Sequence, residues 1–295
     1  MGKPALTIFT PAYNRAHTLG TLYESLCAQS CKDFEWILVN DGSEDNTEEL
    51  ALKWQKECKI DMKYIRCSNT GKMACHNTAS DIAEGKLFMC LDSDDYLSSF
   101  SVVGDCISFW NDNNPSEEIC GIISYKKVGE IVRTFPPGVK SSHLWELRKS
   151  GNLGESAIIL RTDVVRNHKF PVFGQEKFVT DAFIYEQIDK DYRFLLMPSV
   201  TQICRYNPDG YSFNYTRLLF SNPEGYRQYH NQRISLGYEG KFKSAICWGA
   251  ISIRMGFKGL FSRSASPALV VAALPFSFAK YLLDSIKLKT FGSLC

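Results

Sequence analysis

An α/β protein with a mostly parallel central sheet and a helical, basic C-terminal extension is what the sequence predicts, on three observations. Short apolar or β-rich runs alternate with helical patterns at roughly thirty-residue spacing through the first hundred residues, the rhythm of strand–helix–strand units. Turn residues close each apolar run, and polar side chains gather just beyond it. Charge is unevenly placed: residues 241–295 hold eight Lys/Arg against Asp284 alone, a net +7, while the preceding 240 residues carry −5.

Four runs read as strands: Ala5 to Phe9, Phe34 to Asn40, Met62 to Arg66 and Lys86 to Leu91. Helical patterns over Leu19 to Ala28, Thr47 to Cys58 and Met73 to Ala83 lie between them, as parallel strands require of their crossovers. Next come a helix over Phe100 to Asn111, ended at Asn113-Asn114-Pro115, a strand over Gly121 to Lys126 and a second strand over Val128 to Phe135. Ser156 to Arg161 reads as a strand, Thr180 to Asp189 as a helix and Tyr192 to Cys204 as an extended stretch. The run Ala265 to Ala279 is uncharged and carries Pro267 and Pro275. It is shorter than the roughly 18 to 20 apolar residues of a membrane-spanning helix. Lys241, Lys243, Arg254, Lys258, Arg263, Lys280, Lys287 and Lys289 recur around it among Trp248, Phe257, Phe261 and Phe276. That pattern suits helices lying in a bilayer interface against anionic headgroups; a helical cap packed on the body is the alternative. The expected division is 1–235, with halves 1–110 and 111–235, followed by the extension 236–295.

Composition narrows the class. With 295 residues, 44% hydrophobic and 22% charged, the chain is long enough for one large or two small folded domains and unlike a disordered, collagenous or coiled-coil protein. Eleven cysteines with no C-x-x-C pair argue against a disulfide framework or zinc ribbon and for a reducing compartment. No basic-then-apolar leader precedes the first strand, so a cytoplasmic location is expected.

In a parallel α/β sheet, ligands sit beyond the carboxyl ends of the strands. Here those ends run into Thr10-Pro11-Ala12-Tyr13-Asn14, Asn40-Asp41-Gly42-Ser43, Ser68-Asn69-Thr70-Gly71-Lys72 and Asp92-Ser93-Asp94-Asp95, which should form one rim. On an extended backbone Asp92 and Asp94 face the same way while Asp95 points elsewhere. Neighbouring carboxylates repel unless a cation intervenes, and hard oxygen donors favour Mg²⁺ or Mn²⁺. Capping of the following helix falls to Ser43, Asp45 or Asn46, which leaves Asp41 for ligand contact. No G-x-G-x-x-G follows the first strand and no G-x-x-x-x-G-K-[ST] occurs, which removes the dinucleotide and P-loop readings. The five histidines form no H-E-x-x-H pattern, His76 reads as a packed residue, and no serine sits in a G-x-S-x-G elbow.

Taken together, Thr7 to Arg15, Trp36 to Ser43 with Asp45 and Thr47, Asn69-x-Gly71-Lys72 with Ala74 and Asn77, and Asp92-Ser93-Asp94-Asp95 resemble the family 2 inverting glycosyltransferases of the GT-A fold, over about residues 5 to 110. The resemblance implies a Rossmann-like nucleotide-sugar-binding domain. Thr10, Pro11 and Tyr13 would line the nucleobase pocket, and Asp41 would bond to uracil or its ribose. Asn69, Gly71 and Lys72 would border the nucleotide and donor sugar, Asp92 would approach the ribose, and Asp94 would ligate the cation bridging the diphosphate. More loosely, Phe170-Pro171 and Gly174 to Asp181 are similar to an F-P…G-E-K-F-x-x-E segment of bacterial surface-polysaccharide members, with Gln175 as an extra residue. Asp181 then stands where an acidic residue acts as base, with Glu176 as its competitor. Asp209-Gly210-Tyr211-Ser212 is similar to a later acceptor-side loop, so that Asp209 and Ser212 join Glu176 there, and Asn222 to Gly225 with the basic tail complete the likeness.

The function expected is a Mg²⁺- or Mn²⁺-dependent inverting transfer of one sugar, from a UDP-sugar donor to a hydroxyl of a lipid-linked oligosaccharide, peripheral on the inner face of the cytoplasmic membrane. Two readings compete. A nucleotidyltransferase would need a Gly-rich basic loop after the first strand, and Thr10 to Arg15 lacks the glycines. A non-catalytic nucleotide-sugar-binding subunit would have lost the carboxylates that are present. Nucleic acid is not an expected partner, because apolar Ala268 to Ala273 suits lipid better than a phosphate backbone.

Overall fold

The computed structural model describes residues 2–130, 134–205, 215–237 and 240–292. In chain order the elements are β1 (Leu6–Ala12), α1 (Leu19–Cys27), β2 (Phe34–Asn40), α2 (Thr47–Glu57), β3 (Asp61–Arg66), α3 (Lys72–Ile82) and β4 (Leu87–Cys90). There follow β5 (Tyr96–Leu97), α4 (Val102–Asp112), β6 (Ile119–Val128), β7 (Ser141–Ser142), α5 (Leu144–Lys149), β8 (Ser156–Arg161) and α6 (Thr162–Asn167). The last are α7 (Ala182–Asp191), β9 (Arg193–Cys204), α8 (Tyr215–Ser221), α9 (Pro223–Ser235), α10 (Lys241–Arg254) and α11 (Pro267–Gly292).

One nine-stranded sheet runs β3-β2-β1-β4-β8-β6-β9-β5, with β7 also paired to β9. The first four strands are mutually parallel, β8 runs antiparallel between β4 and β6, and β9 is parallel to β6. The expected mostly parallel sheet is present. Of the strand expected over Val128 to Phe135, residues 131–133 lie outside the described residues; Val128 ends β6, Gly129 and Glu130 turn, and Thr134 to Pro136 is irregular.

Successive residues on a strand face opposite sides, so each central strand feeds two cores. Ile8, Trp36 and Met89 pack with Leu22 of α1, Trp54 of α2 and Val103 of α4 on one side. Phe9, Ile37 and Phe88 pack with Ala79 of α3, Leu147 of α5 and Val165 of α6 on the other. Each such side chain contributes about 1.5–3 kcal/mol by leaving water, which explains the near-continuous apolar runs of β1 and β2.

One charge is buried among these strands. Glu35, fully covered, accepts from Thr7 Oγ1 (2.6 Å) and the Glu84 amide (2.5 Å), and pairs with Lys63 Nζ at 2.8 Å. Burial pushes its carboxyl up, but Lys63, the Thr7 hydroxyl and the Glu84 N–H outweigh burial and hold it below the ordinary glutamate value. A depressed folded value means stability that is present above the unfolded pKa and lost as pH falls through the folded one. Glu35→Gln is therefore expected to lower stability by about 2 kcal/mol at neutral pH. The gap from wild type should shrink as the buffer is taken below about pH 4, as read by urea unfolding at each pH.

The chain forms two compact units: the described residues within Met1–Phe170 and Ile184–Phe213, and those within Pro171–Phe183 and Asn214–Cys295. The sheet belongs to the first. The second is helical and begins before residue 236, because α9 packs on α10; Ile234 shares a core with Trp248 and with Val270 and Ala273 of α11. α11 also outruns the uncharged stretch read from the sequence, continuing through Pro275, and its part Pro267–Ile286 is long and apolar enough to cross a membrane by length and composition. Pro275 lies on the exposed side of the helix, while Ala273 and Ser277 are on the buried side.

Candidate active site

The loops after β1, β2 and β4 leave from neighbouring strand ends. The Asp41 amide donates to Ala12 O (2.8 Å), Cys67 N to Asn40 O (2.8 Å) and Leu91 N to Phe9 O (2.9 Å), which continues the parallel ladder to a common edge. Side chains then tie the first two loops together. Asn14 N donates to Ser43 Oγ (2.9 Å), Arg15 N to Thr47 Oγ1 (3.0 Å), Ala16 N to Asp45 Oδ2 (3.0 Å) and Glu44 N to Asn14 Oδ1 (2.8 Å). Burial raises Asp45, but the Thr47 hydroxyl and the Ala16 and Thr47 amides prevail and lower it. Ser43 and Asp45 thus hold the β1 loop, and Asn46 takes the N-cap position of α2 without a side-chain bond.

Asp41, expected to contact ligand, is engaged by the turn that follows β3. Its Oδ1 accepts from Thr70 N (2.6 Å) and its Oδ2 from Gly71 N (2.8 Å), and the residue is 5% exposed. Gly71 is the N-cap of α3, so the carboxylate sits where the helix dipole favours negative charge and fixes the Asn69–Lys72 turn. Thr10 is also accounted for internally: it is fully buried and accepts from Trp36 Nε1 at 3.1 Å. Pro11 is buried in β1, opposite Val39, and of the three expected pocket residues Tyr13 alone is exposed, at 42%.

Lys72, the first residue of α3, reaches across to Asp92 Oδ1 at 2.8 Å. The Asp41–Gly71 and Lys72–Asp92 contacts together link the β2, β3 and β4 loops. Burial would raise Asp92, yet Lys72 and Lys126 overcome it and hold its carboxyl at about 2. Asp95 does turn away: it is buried, with Oδ2 accepting from Lys126 Nζ (3.3 Å) and the Cys204 thiol (3.1 Å) and Oδ1 from Arg205 N (3.3 Å). Burial pushes Asp95 up against the pull of Lys126, and Asp92 and Asp94 add to the rise. Lys126 was missed by the sequence reading; its signal is a charged residue ending the apolar run Gly121 to Tyr125.

Asp94 lies half-buried in the turn between Asp92 and Asp95. Among the described residues no group of three His, Cys, Asp or Glu side chains could cage a metal ion. The donor set still fits Mg²⁺ or Mn²⁺, which are usually held by one or two carboxylates with substrate phosphates completing the shell. His76 is packed as expected, edge-on to Phe9, Phe88 and Phe170, and burial, with Lys72 and Lys169 nearby, lowers it to about 3.

The second unit carries Glu176 and Asp181. Phe173 and Glu176 pair across a turn, and Glu176 then accepts from Glu224 N and Gly225 N, each at 2.8 Å, capping α9 with both oxygens. Asn222 Oδ1 accepts from Lys177 N (2.7 Å) and Phe178 N (3.1 Å), and a Cβ on Gly225 would lie 2.6 Å from Phe178 O, so that position needs glycine. Glu176 thus caps α9 with its carboxylate. Glu176→Ala should cost about 2 kcal/mol in unfolding assays and leave nucleotide affinity unchanged in calorimetry. Asp181 is exposed immediately before α7. Asp209 and Ser212 lie outside the described residues.

The model of the family described as "Glycosyl transferase family 2" matches residues 7–159, just over half of the chain. The chain belongs to that family. An uncharacterized glycosyltransferase of Rickettsia felis is 31% identical over 125 residues, 42% of this chain and 20% of the relative. A PGL/p-HBAD biosynthesis glycosyltransferase of Mycobacterium bovis is 28% identical over 121 residues, 41% and 47% of the two chains. The matched part is therefore less than half the length of either relative. Among solved structures, S. aureus TarS in complex with UDP-GlcNAc has a TM-score of 0.62 at 18% identity, covering 94% of this chain and 80% of TarS. The mannosyltransferase PcManGT from Pyrobaculum calidifontis, in complex with GDP-Man and Mn²⁺, has 0.58 at 15%, covering 96% and 83%. At such identities the likeness shows the fold, and this family 2 glycosyltransferase has the GT-A architecture.

Proposed function

We propose that the protein transfers one sugar, with inversion, from a UDP-sugar to a hydroxyl of a lipid-linked oligosaccharide at an anionic membrane surface. The observation that carries the reading is the chain of contacts Asp41–Gly71 and Lys72–Asp92, which gathers the N-terminus of α3, a lysine and two carboxylates on one edge of the sheet. Such an edge suits a sugar nucleotide: helix N-terminal amides and Lys72 for the phosphates, the exposed Tyr13 ring for the base and Asp92 for the ribose. The TarS complex with UDP-GlcNAc supports a uridine nucleotide.

Asp94 would hold Mg²⁺ or Mn²⁺ together with the diphosphate. When bound, the ion neutralises charge growing on the departing nucleotide. Lys72 adds a second cation to that task, moving from Asp92 toward the phosphates as they arrive. The acceptor oxygen attacks the anomeric carbon from the face opposite the diphosphate; that C–O bond forms as the bond to the phosphate oxygen breaks. The hydroxyl proton passes to the Asp181 carboxylate.

The test is a panel of nucleotide sugars offered to the full chain with lipid extract as acceptor, with released nucleotide as the readout. One donor should be turned over, EDTA should remove more than about 90% of the rate, and Mn²⁺ or Mg²⁺ should restore it. Pyrophosphate released from a nucleoside triphosphate would instead indicate nucleotidyl transfer and sink the proposal.

A further inference from the structure

α11 is apolar on its open side. Along Pro267–Ile286 every exposed side chain is apolar: Val271, Phe276, Phe278, Leu282, Leu283 and Ile286 are 45–62% exposed, and alanines and prolines fill the other open positions. The polar residues face the opposite way. Ser277 is fully buried, its hydroxyl donating to Ala273 O, and Lys280 and Asp284 pair at 2.8 Å on partly covered positions. α10 presses against this covered side, which also buries Val270 and Ala273, so closely that a Cβ on Gly249 would stand 2.3 Å from Ser277 Oγ. Water imposes the reverse pattern on a surface helix, and a continuous apolar face of this kind marks a binding surface.

The margins of the face identify what it meets. Phe242 packs on Phe276 with ring centroids 5.7 Å apart, and Phe257 on Phe278 at 6.2 Å. Phe242 stands between Lys241 and Lys243, and Phe257 precedes Lys258, all of them exposed. The apolar strip is therefore bordered by aromatic rings, each next to lysine, which is the order of groups at a membrane boundary: acyl chains, then aromatic residues, then cations at lipid phosphates. A second copy of the chain would bring like charges together along these margins.

We propose that α11 lies in the plane of a membrane leaflet, with this face in the acyl layer and the Lys241/Lys243 and Lys258 margins at the phosphates of anionic lipid. The proposal rests on the membrane-surface part of the function above and sharpens it: attachment is by insertion into hydrocarbon, with charge as the guide. The helix does not cross. α10 runs beside it with Lys241 and Arg254 at its two ends, about 20 Å apart, and a spanning α11 would drag that charged partner into the hydrocarbon.

Vesicle flotation and acyl-chain quenching test this with the full chain. Vesicles of phosphatidylethanolamine with phosphatidylglycerol should carry the protein at about 0.1 M NaCl and still retain most of it at about 1 M, where surface charge is screened within ~3 Å. Phe276→Trp should add emission that lipids brominated along the acyl chain quench. Val271→Asp with Leu283→Asp should reduce the bound fraction at least about tenfold, and Leu52→Asp, at an exposed leucine of α2, should not. Three results would each overturn insertion: release at high salt, no quenching of the emission that Phe276→Trp adds, or full binding by the double variant. A dimer that the double variant abolishes, without any vesicle binding, would do the same. UDP calorimetry separates the two readings: wild-type protein that floats but binds no nucleotide would defeat the transferase proposal and leave this one intact.

Discussion

Asp94→Ala is expected to lower sugar transfer by at least about 10³-fold, close to 4 kcal/mol of transition-state stabilisation. Within its loop Asp92 pairs with Lys72, and Asp95 turns inward to Lys126, Cys204 and the Arg205 amide. Asp94 is the one that the proposed reaction assigns to the cation, and alanine would leave the diphosphate to hold it unaided. The loss should fall on kcat. UDP affinity measured in EDTA should match wild type, whereas the gain in affinity that Mn²⁺ brings to wild type should vanish. Retention of more than about a tenth of the wild-type kcat would remove Asp94 from the reaction.

Local signals carried the strand ends, and side-chain destinations depended on distant partners. Phe34–Asn40 and Ser156–Arg161 coincide with their sequence boundaries because each is an apolar run stopped by turn or helix-start residues within the same few positions. The two-residue strands β5 and β7 have no such pattern. They exist through β9, where Tyr96 meets Ile203 and Ser141 meets Leu195, so nothing local announces them. The rim of loops was legible for the same local reason as the strand ends. What was not legible is which members of the rim are spent on the fold. Thr10 meets Trp36 and Asp41 meets Gly71 in the first unit, and Glu176 meets Gly225 in the second, each across 26 to 49 positions, partners that a motif quoted residue by residue does not reveal.

Asp181→Asn is expected to leave the donor side of the reaction alone and remove the transfer step, by about 10²- to 10⁴-fold in kcat. The substitution separates two jobs a carboxylate can do at this position. Asp181 is exposed and immediately precedes α7, where a negative charge stabilises the helix by about 0.3–1 kcal/mol. Asparagine caps a helix as well as aspartate does, so α7 should stay formed and thermal unfolding should shift little. Asparagine cannot accept the acceptor's proton. UDP-sugar affinity should therefore remain within about twofold while kcat collapses. Asp181→Glu should recover part of the rate, because it restores a proton acceptor at slightly altered reach. A residue serving the helix alone would give the opposite split: full turnover with Asn, and a lowered melting point with Ala.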